Sequence, residues 1–280
     1  MSQAICVFVV SLARAPERRA AICRHLEQMG VSYRLIDAVD GRALDPNYVS
    51  SIVAPGQTMH PGAIGCYLSH LHIYEFMRDE NIPLACVLED DAHLDPRMVR
   101  LLREGCSSTS FDYCFLDSDD HNELGPIYYN ADSGVLLNNI FTAYTLSAGP
   151  QTTHAYMITH TAALQRLKHA YPLTDAIDLY THLPYTIRFS SLVNPKGAWV
   201  SAHSLASYTS AKQDTAEKLS LRFLRRWPWF YRLRDMIRMK DIKRNLRIRE
   251  LVRQGKLANG PKWRALPSGR EILLVDEQGK

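Results

Sequence analysis

Three consecutive carboxylates, Glu89-Asp90-Asp91, directly follow the apolar run Leu84-Ala85-Cys86-Val87-Leu88. Residues i and i+2 of an extended chain share a face, so Glu89 and Asp91 are placed to grip one cation together. Carboxylate oxygens are hard ligands and suit Mg²⁺ or Mn²⁺, which commonly take further ligands from substrate phosphates. An ion held there can act as a Lewis acid and neutralise a phosphate leaving group. Asp117-Ser118-Asp119 repeats the spacing after a second apolar run, Phe111–Leu116. Chemistry alone does not choose between the two clusters, and acidic triplets also occur as solvated turns.

The elements that would carry these groups can be read from the hydrophobic pattern. Residues 5–10 (ICVFVV) form a continuous apolar run rich in β-branched residues, which predicts a buried strand. A helical pattern follows through Met29 and stops at Gly30, a common helix-ending residue. Tyr33–Ile36 predicts a second strand, closed by Asp37-Ala38-Val39-Asp40-Gly41. Strand, helix and strand in succession indicate a layered α/β fold with a parallel sheet. Residues 61–80 predict a long helix opened by Pro61-Gly62, and 84–88 a short buried strand. A helix is expected after Asp95-Pro96, a strand at 111–116, a strand at His154–Thr159 and a helix at Thr161–Ala170. Residues 122–150 read as irregular. In an open α/β sheet, ligands bind beyond the carboxyl ends of the strands, where Glu89–Asp91 fall.

Bulk properties narrow the class. The 280 residues are 46% hydrophobic and 22% charged, an ordinary globular composition. The six cysteines contain no C-x-x-C pair, so a zinc site is not expected. The N-terminus lacks a basic n-region, so reduced, mostly buried thiols in a cytosolic protein are expected. No run approaches the roughly 18 apolar residues that span a bilayer. No G-x-x-x-x-G-K-[ST] phosphate loop is present, which argues against a P-loop enzyme. Charge is unevenly placed. Residues 1–217 hold 15 Lys and Arg against 23 Asp and Glu, whereas 218–280 hold 18 against 6.

Several short segments, in order, resemble glycosyltransferase family 25, the bacterial lipooligosaccharide galactosyltransferases and their relatives. They are Val10-Ser11-Leu12 with Arg14, Pro16, Glu17, Arg18 and Arg19; Asp37-Ala38 with Asp40-Gly41; Gly62-Ala63-Ile64-Gly65-Cys66; and Leu68-Ser69-His70. Val87-Leu88-Glu89-Asp90-Asp91, Thr153-His154-Ala155-Tyr156-Met157-Ile158 and Ile177-Asp178-Leu179 complete the series, which covers residues 5–205. The resemblance implies a GT-A-like fold with a Rossmann-type nucleotide-sugar-binding sheet. It also implies a UDP-sugar donor, usually UDP-galactose, and a glycan acceptor on a lipid anchor. It favours Glu89–Asp91 over Asp117–Asp119 as the metal cluster.

Roles follow from that frame. Glu89 and Asp91 are expected to hold Mn²⁺ or Mg²⁺, with His203 as a third ligand because Mn²⁺ accepts imidazole. Ser11, Leu12, Arg14, Arg18, Asp37, Ala38, Ser69, His70 and Asp90 are expected to line the donor site. Arg18 would meet the diphosphate through its fork of N–H donors. Asp37 would accept from the uracil or ribose. An inverting transferase needs a base for the acceptor hydroxyl, and Asp178 is the candidate, with Asp175 as runner-up. The competing readings are an inactive transferase fold that binds nucleotide or glycan, and a different nucleotide-using enzyme such as a nucleotidyltransferase.

Two domains are expected: a transferase domain over 1–217 and a basic, aromatic-rich, helical tail over 218–280. Residues 219–240 read LSLRFLRRWPWFYRLRDMIRMK, arginines alternating with large apolar side chains. Pro228 must kink or break any helix there. Aromatics with arginines suit an anionic membrane surface, so a cytoplasmic enzyme peripheral at the inner membrane is expected. A nucleic-acid partner is not expected.

Overall fold

The computed structural model describes residues 3–106, 109–117, 127–180, 187–200 and 263–266, all within one compact unit. The chain opens with β1 (Cys6–Ser11), α1 (Pro16–Gln28) and β2 (Arg34–Asp37), followed by α2 (Pro46–Ile52), α3 (Pro61–Asp79) and β3 (Leu84–Glu89). Then come β4 (Ala92–Leu94), α4 (Met98–Glu104), β5 (Tyr113–Phe115), β6 (Tyr128–Asn130), β7 (Val135–Leu136) and β8 (Thr142–Thr145). β9 (Ala155–Thr159), α5 (His160–Lys168), β10 (Phe189–Leu192), β11 (Ala198–Val200) and β12 (Trp263–Ala265) complete the order.

Local chemistry explains the helix ends. α1 starts on Pro16, whose missing N–H costs nothing in a first turn. Gly30, at φ +62°, closes it. α3 also starts on proline, and the ring of His60 accepts from the Gly62 N–H at 3.1 Å.

Eight strands form the main sheet in the order β2-β1-β3-β9-β5-β10-β8-β7. β2, β1 and β3 run parallel, with Ser11 level with Asp37 and Val10 level with Glu89. The expected parallel sheet is corrected here. β9 lies antiparallel between β3 and β5, and β8 runs antiparallel to β10. An apolar strand buried on both faces reads the same in either direction, so its sequence carries no polarity. Residues 128–145, expected to be irregular, contribute β6, β7 and β8.

The strands alternate between two cores, as a sheet covered on both faces requires. Phe8, Val10, Ala85 and Val87 pack towards α3 and α5 with Leu68, Leu71 and Ala163. Val7, Val9, Cys86 and Leu88 pack on the other face with Ile22, Leu26, Met98 and Leu101 from α1 and α4. Burying one such side chain contributes about 1.5–3 kcal/mol. All six cysteines are free thiols, but only Cys86 and Cys114 are buried and the other four are partly exposed, which corrects the expectation that most would be buried.

Beside the sheet, loop 38–41 lies directly on the start of α3. A Cβ on Gly65 would meet the Val39 carbonyl oxygen at 2.3 Å, and one on Gly41 would meet the Pro61 carbonyl oxygen at 1.8 Å. Ser69 ties the same contact, donating to the Gly65 carbonyl at 2.6 Å and accepting from the Val39 N–H at 2.8 Å. Glycine therefore permits the close approach that builds one wall of the site described below.

On the opposite face, His25 and His93 stack at 3.9 Å between ring centroids. Burial lowers the pKa of both, and the neighbouring His25 helps bring His93 down to about 4. Each imidazole is harder to protonate in the folded chain than in the unfolded one. Stability is therefore full above about pH 6.5 and falls as the pH drops from there towards 4. Solvent reaching the half-buried rings limits the loss to roughly 1–2 kcal/mol. Thermal melts of wild type and His93→Gln between pH 7 and 4 check this. The variant is expected to lose less stability on acidification.

Among the described residues, no helix is long and apolar enough to cross a membrane. Most of the segment expected to form a basic helical tail lies outside the described residues. Within it, Trp263–Ala265 pairs antiparallel with β6.

Candidate functional site

The parallel strands β2, β1 and β3 end together, and a cleft enclosing about 650 Å³ of space open to solvent lies beyond them. Ser11 and Leu12 from the end of β1, Ala38 from the loop after β2, Ser69 and His70 from α3, Glu89 at the end of β3 and Asp90 and Asp91 just beyond it line the cleft. Arg14 and Arg18, on the turn and first turn of helix after β1, line it too.

The carboxylates do not share a strand face. β3 stops at Glu89 and the chain turns at Asp90 and Asp91. The turn still brings all three residues to the lining of one cleft. Asp90 is buried, accepts from Ser11 Oγ at 2.8 Å and is ion-paired to Arg18. Arg18 also lies 3.2 Å from Asp91 Oδ2. Arg14 pairs with Asp40 at 2.6 Å.

Glu89 faces α3. Its Oε1 accepts from Thr153 Oγ1 at 2.5 Å and lies 3.4 Å from His70 Nε2. Burial works to raise its carboxyl, but His70, Thr153 and His154 outweigh burial and bring the pKa down to about 2. Asp91 moves the other way, up to about 6, through burial and the charge of Glu89. Its Oδ1 is buried without a hydrogen-bond partner. A buried carboxylate oxygen left unpaired beside a second carboxylate is costly, and a hard dication relieves both problems. Glu89 and Asp91 thus fit a Mg²⁺ or Mn²⁺ ion.

Asp178 sits in a turn after α5, where the Leu179 N–H donates to the Ala176 carbonyl at 3.0 Å. Burial and the charge of Glu89 raise its pKa, with His70 and Arg166 opposing. Asp178 is not among the residues that line the cleft, so the structure does not bring it into the site with the donor-side residues.

Other sequence-based expectations sort as follows. Asp37 is corrected: its carboxylate is 77% exposed, paired with Arg19 at 2.6 Å, and lines a shallow groove against His72 and Phe76 instead of the cleft. Alternation at the end of β2 turns Asp37 outward, and Asp40, three residues on, supplies the carboxylate that the cleft wall carries. Ser69 lines the cleft, but its hydroxyl is engaged in holding loop 38–41 to α3. His203 and Asp119 lie outside the described residues. Asp117 is buried and neutralised, 3.1 Å from Lys196 Nζ and 3.3 Å from His154 Nε2.

Two contributors escaped the sequence-based reading. Thr153 is one, held against Glu89 because β9 pairs with β3. Cys66 is the other. Its i, i+4 spacing from His70 on α3 was the available signal, since such pairs share a helix face. Among the described residues, Cys66, His70 and Glu89 form the one group of three cysteine, histidine or carboxylate donors that converge, with ligand atoms all within 4.8 Å.

Acidic and basic side chains thus converge beyond the ends of the parallel strands of a mixed α/β sheet, the place where open α/β sheets bind their ligands. Glycosyltransferase family 25 (LPS biosynthesis protein) matches residues 4–181, and the chain belongs to that family. A Rattus norvegicus protein called probable inactive glycosyltransferase 25 family member 3 is 31% identical over 159 residues, 50% of this chain and 28% of its own length. A Drosophila melanogaster glycosyltransferase 25 family member is 28% identical over 193 residues, covering 64% of this chain and 30% of its own. Procollagen galactosyltransferase 1-A of Xenopus laevis is 30% identical over 107 residues, 35% of this chain and 18% of its own. The chain thus spans less than a third of the length of these relatives.

Proposed function

We propose that the chain is an active, metal-assisted, inverting hexosyltransferase of GT-A type. Its donor is a UDP-sugar, with galactose the expected sugar, and its acceptor is a lipid-linked glycan of the lipooligosaccharide or lipopolysaccharide class. The observation that carries this reading is one cleft holding an orphaned Asp91 oxygen beside Glu89, with Arg18 between Asp90 and Asp91. The family's description and the galactosyltransferase name of the Xenopus relative support the substrate classes.

Glu89 and Asp91 would hold the Mn²⁺ or Mg²⁺, which when bound supplies neutralising charge for the leaving diphosphate. Arg18 reorients from Asp90 and Asp91 towards that diphosphate, and Arg14 lies at the same wall. Ser11 keeps Asp90 fixed. Asp178, its pKa raised towards the working range of a base, takes the proton from the acceptor hydroxyl as that oxygen attacks the anomeric carbon. Inversion follows from attack on the face opposite the leaving UDP.

Released UDP from a panel of UDP-sugars, with Mn²⁺ and with EDTA, tests the reading. Slow metal-dependent release from one donor is expected. The second reading, an inactive member that binds nucleotide, draws on the names of several relatives. It predicts UDP binding with no release even when membrane-extracted acceptors are supplied.

The segment 218–280 would attach the enzyme to the cytoplasmic face of the inner membrane, beside its acceptor, through its excess of Lys and Arg. Removing it is expected to abolish sedimentation with vesicles rich in anionic lipid. Unchanged sedimentation would refute the attachment.

A further inference from the structure

Cys66, His70 and Glu89 offer a thiol, an imidazole and a carboxylate to one point. The first two stand one turn apart on α3, and Glu89 faces them from the end of β3. His70 Nε2 and Glu89 Oε1 are 3.4 Å apart. That is about the spacing of neighbouring donors around a tetrahedral zinc, whose bonds run roughly 2.0–2.3 Å. The other ring nitrogen of His70 is held by Tyr156 Oη at 2.7 Å, and Tyr156 Oη meets Tyr74 Oη at 2.9 Å. Such an outer partner fixes the ring and leaves Nε2 to face the ion. Cys66 Sγ has one weak neighbour, Thr153 Oγ1 at 3.9 Å. All three residues line the open cleft, so an ion can enter and a fourth ligand can reach it.

This donor set differs in kind from Glu89 with Asp91. A thiolate and an imidazole select a borderline-soft ion, whereas paired carboxylates select Mg²⁺ or Mn²⁺. Both sets need Glu89. We propose that Cys66, His70 and Glu89 form a Zn²⁺-class site that competes with the hard cation for Glu89. Zn²⁺ binding displaces the thiol proton and forms the Zn–S bond, with no change of oxidation state. The competition rests on the transferase reading above, but the site itself does not.

Co²⁺, a spectroscopic stand-in for Zn²⁺, tests the site on the full chain with all other cysteines present. The expected result is a thiolate-to-cobalt charge-transfer band in wild type that Zn²⁺ bleaches and that is lost in Cys66→Ser. Zn²⁺ affinity in that variant is expected to fall at least about tenfold. Zn²⁺ should also shield Cys66 from alkylation in wild type, read by peptide mapping, which needs no variant to fold. Absence of the band, its persistence in Cys66→Ser, or unshielded alkylation at saturating Zn²⁺ would overturn the proposal. UDP binding with Mn²⁺, measured on the same wild-type protein, separates the two readings. A thiolate band without UDP binding fails only the transferase; UDP binding without the band fails only the zinc site.

Discussion

Asp91→Ala is expected to lower metal-dependent turnover by roughly 10³-fold or more, the scale of losing several kcal/mol of charge stabilisation at a leaving group. The reason lies in what surrounds the side chain. Asp91 brings a buried, unpartnered oxygen to the cleft, and its carboxyl stands at about 6 because burial and Glu89 oppose its charge. On the proposed reading, the arrangement is relieved when a cation binds. The substitution removes an ion ligand and relieves a repulsion, so the variant should fold at least as stably as wild type. Loss of turnover together with an unchanged or raised Tm distinguishes the account from a folding defect. Turnover within about twofold of wild type would show that the cation is held elsewhere.

Asp178→Asn is the second large effect. General-base catalysis contributes about 10²–10⁴-fold, and the amide cannot accept the acceptor's proton. UDP affinity in the presence of Mn²⁺ should be unchanged, because the residue acts on the acceptor. The pH dependence also has a stated direction. Burial and Glu89 raise the Asp178 pKa, so transfer should rise as the pH climbs through that raised value and deprotonates the base. The acidic limb of the pH profile should disappear in the variant along with the activity. Full transfer by Asp178→Asn would eliminate the assignment and direct attention to Asp175.

The legible part of this fold was the part where one physical signal acts alone. Residues 5–10 and 84–88 are continuous apolar runs, and each is a strand buried on both faces. Gly30 and Pro61 mark helix ends through backbone chemistry that tertiary context does not alter. The direction of β9 was not legible, because Ala155–Thr159 would be equally buried running either way between β3 and β5. That direction matters for the site, since it places Thr153 against Glu89. Asp37 and Asp40 look equivalent on paper. Whether a carboxylate enters the cleft depends on which way the chain leaves β2 and on Arg19, which reaches Asp37 from α1. The meeting of Cys66 and His70 with Glu89 depends on how α3 packs over β3, and no local pattern reports that.

The claim at the centre is that a cation on Glu89 and Asp91 joins a nucleoside diphosphate to this cleft. Calorimetric titration of UDP into the purified chain, with Mn²⁺ and then with EDTA, measures it directly, and the same pair of titrations on Asp91→Ala locates it. Saturable UDP binding that requires Mn²⁺ in wild type and is lost in the variant is the expected result. Equal UDP affinity with EDTA, or metal-dependent binding that Asp91→Ala leaves intact, would contradict it.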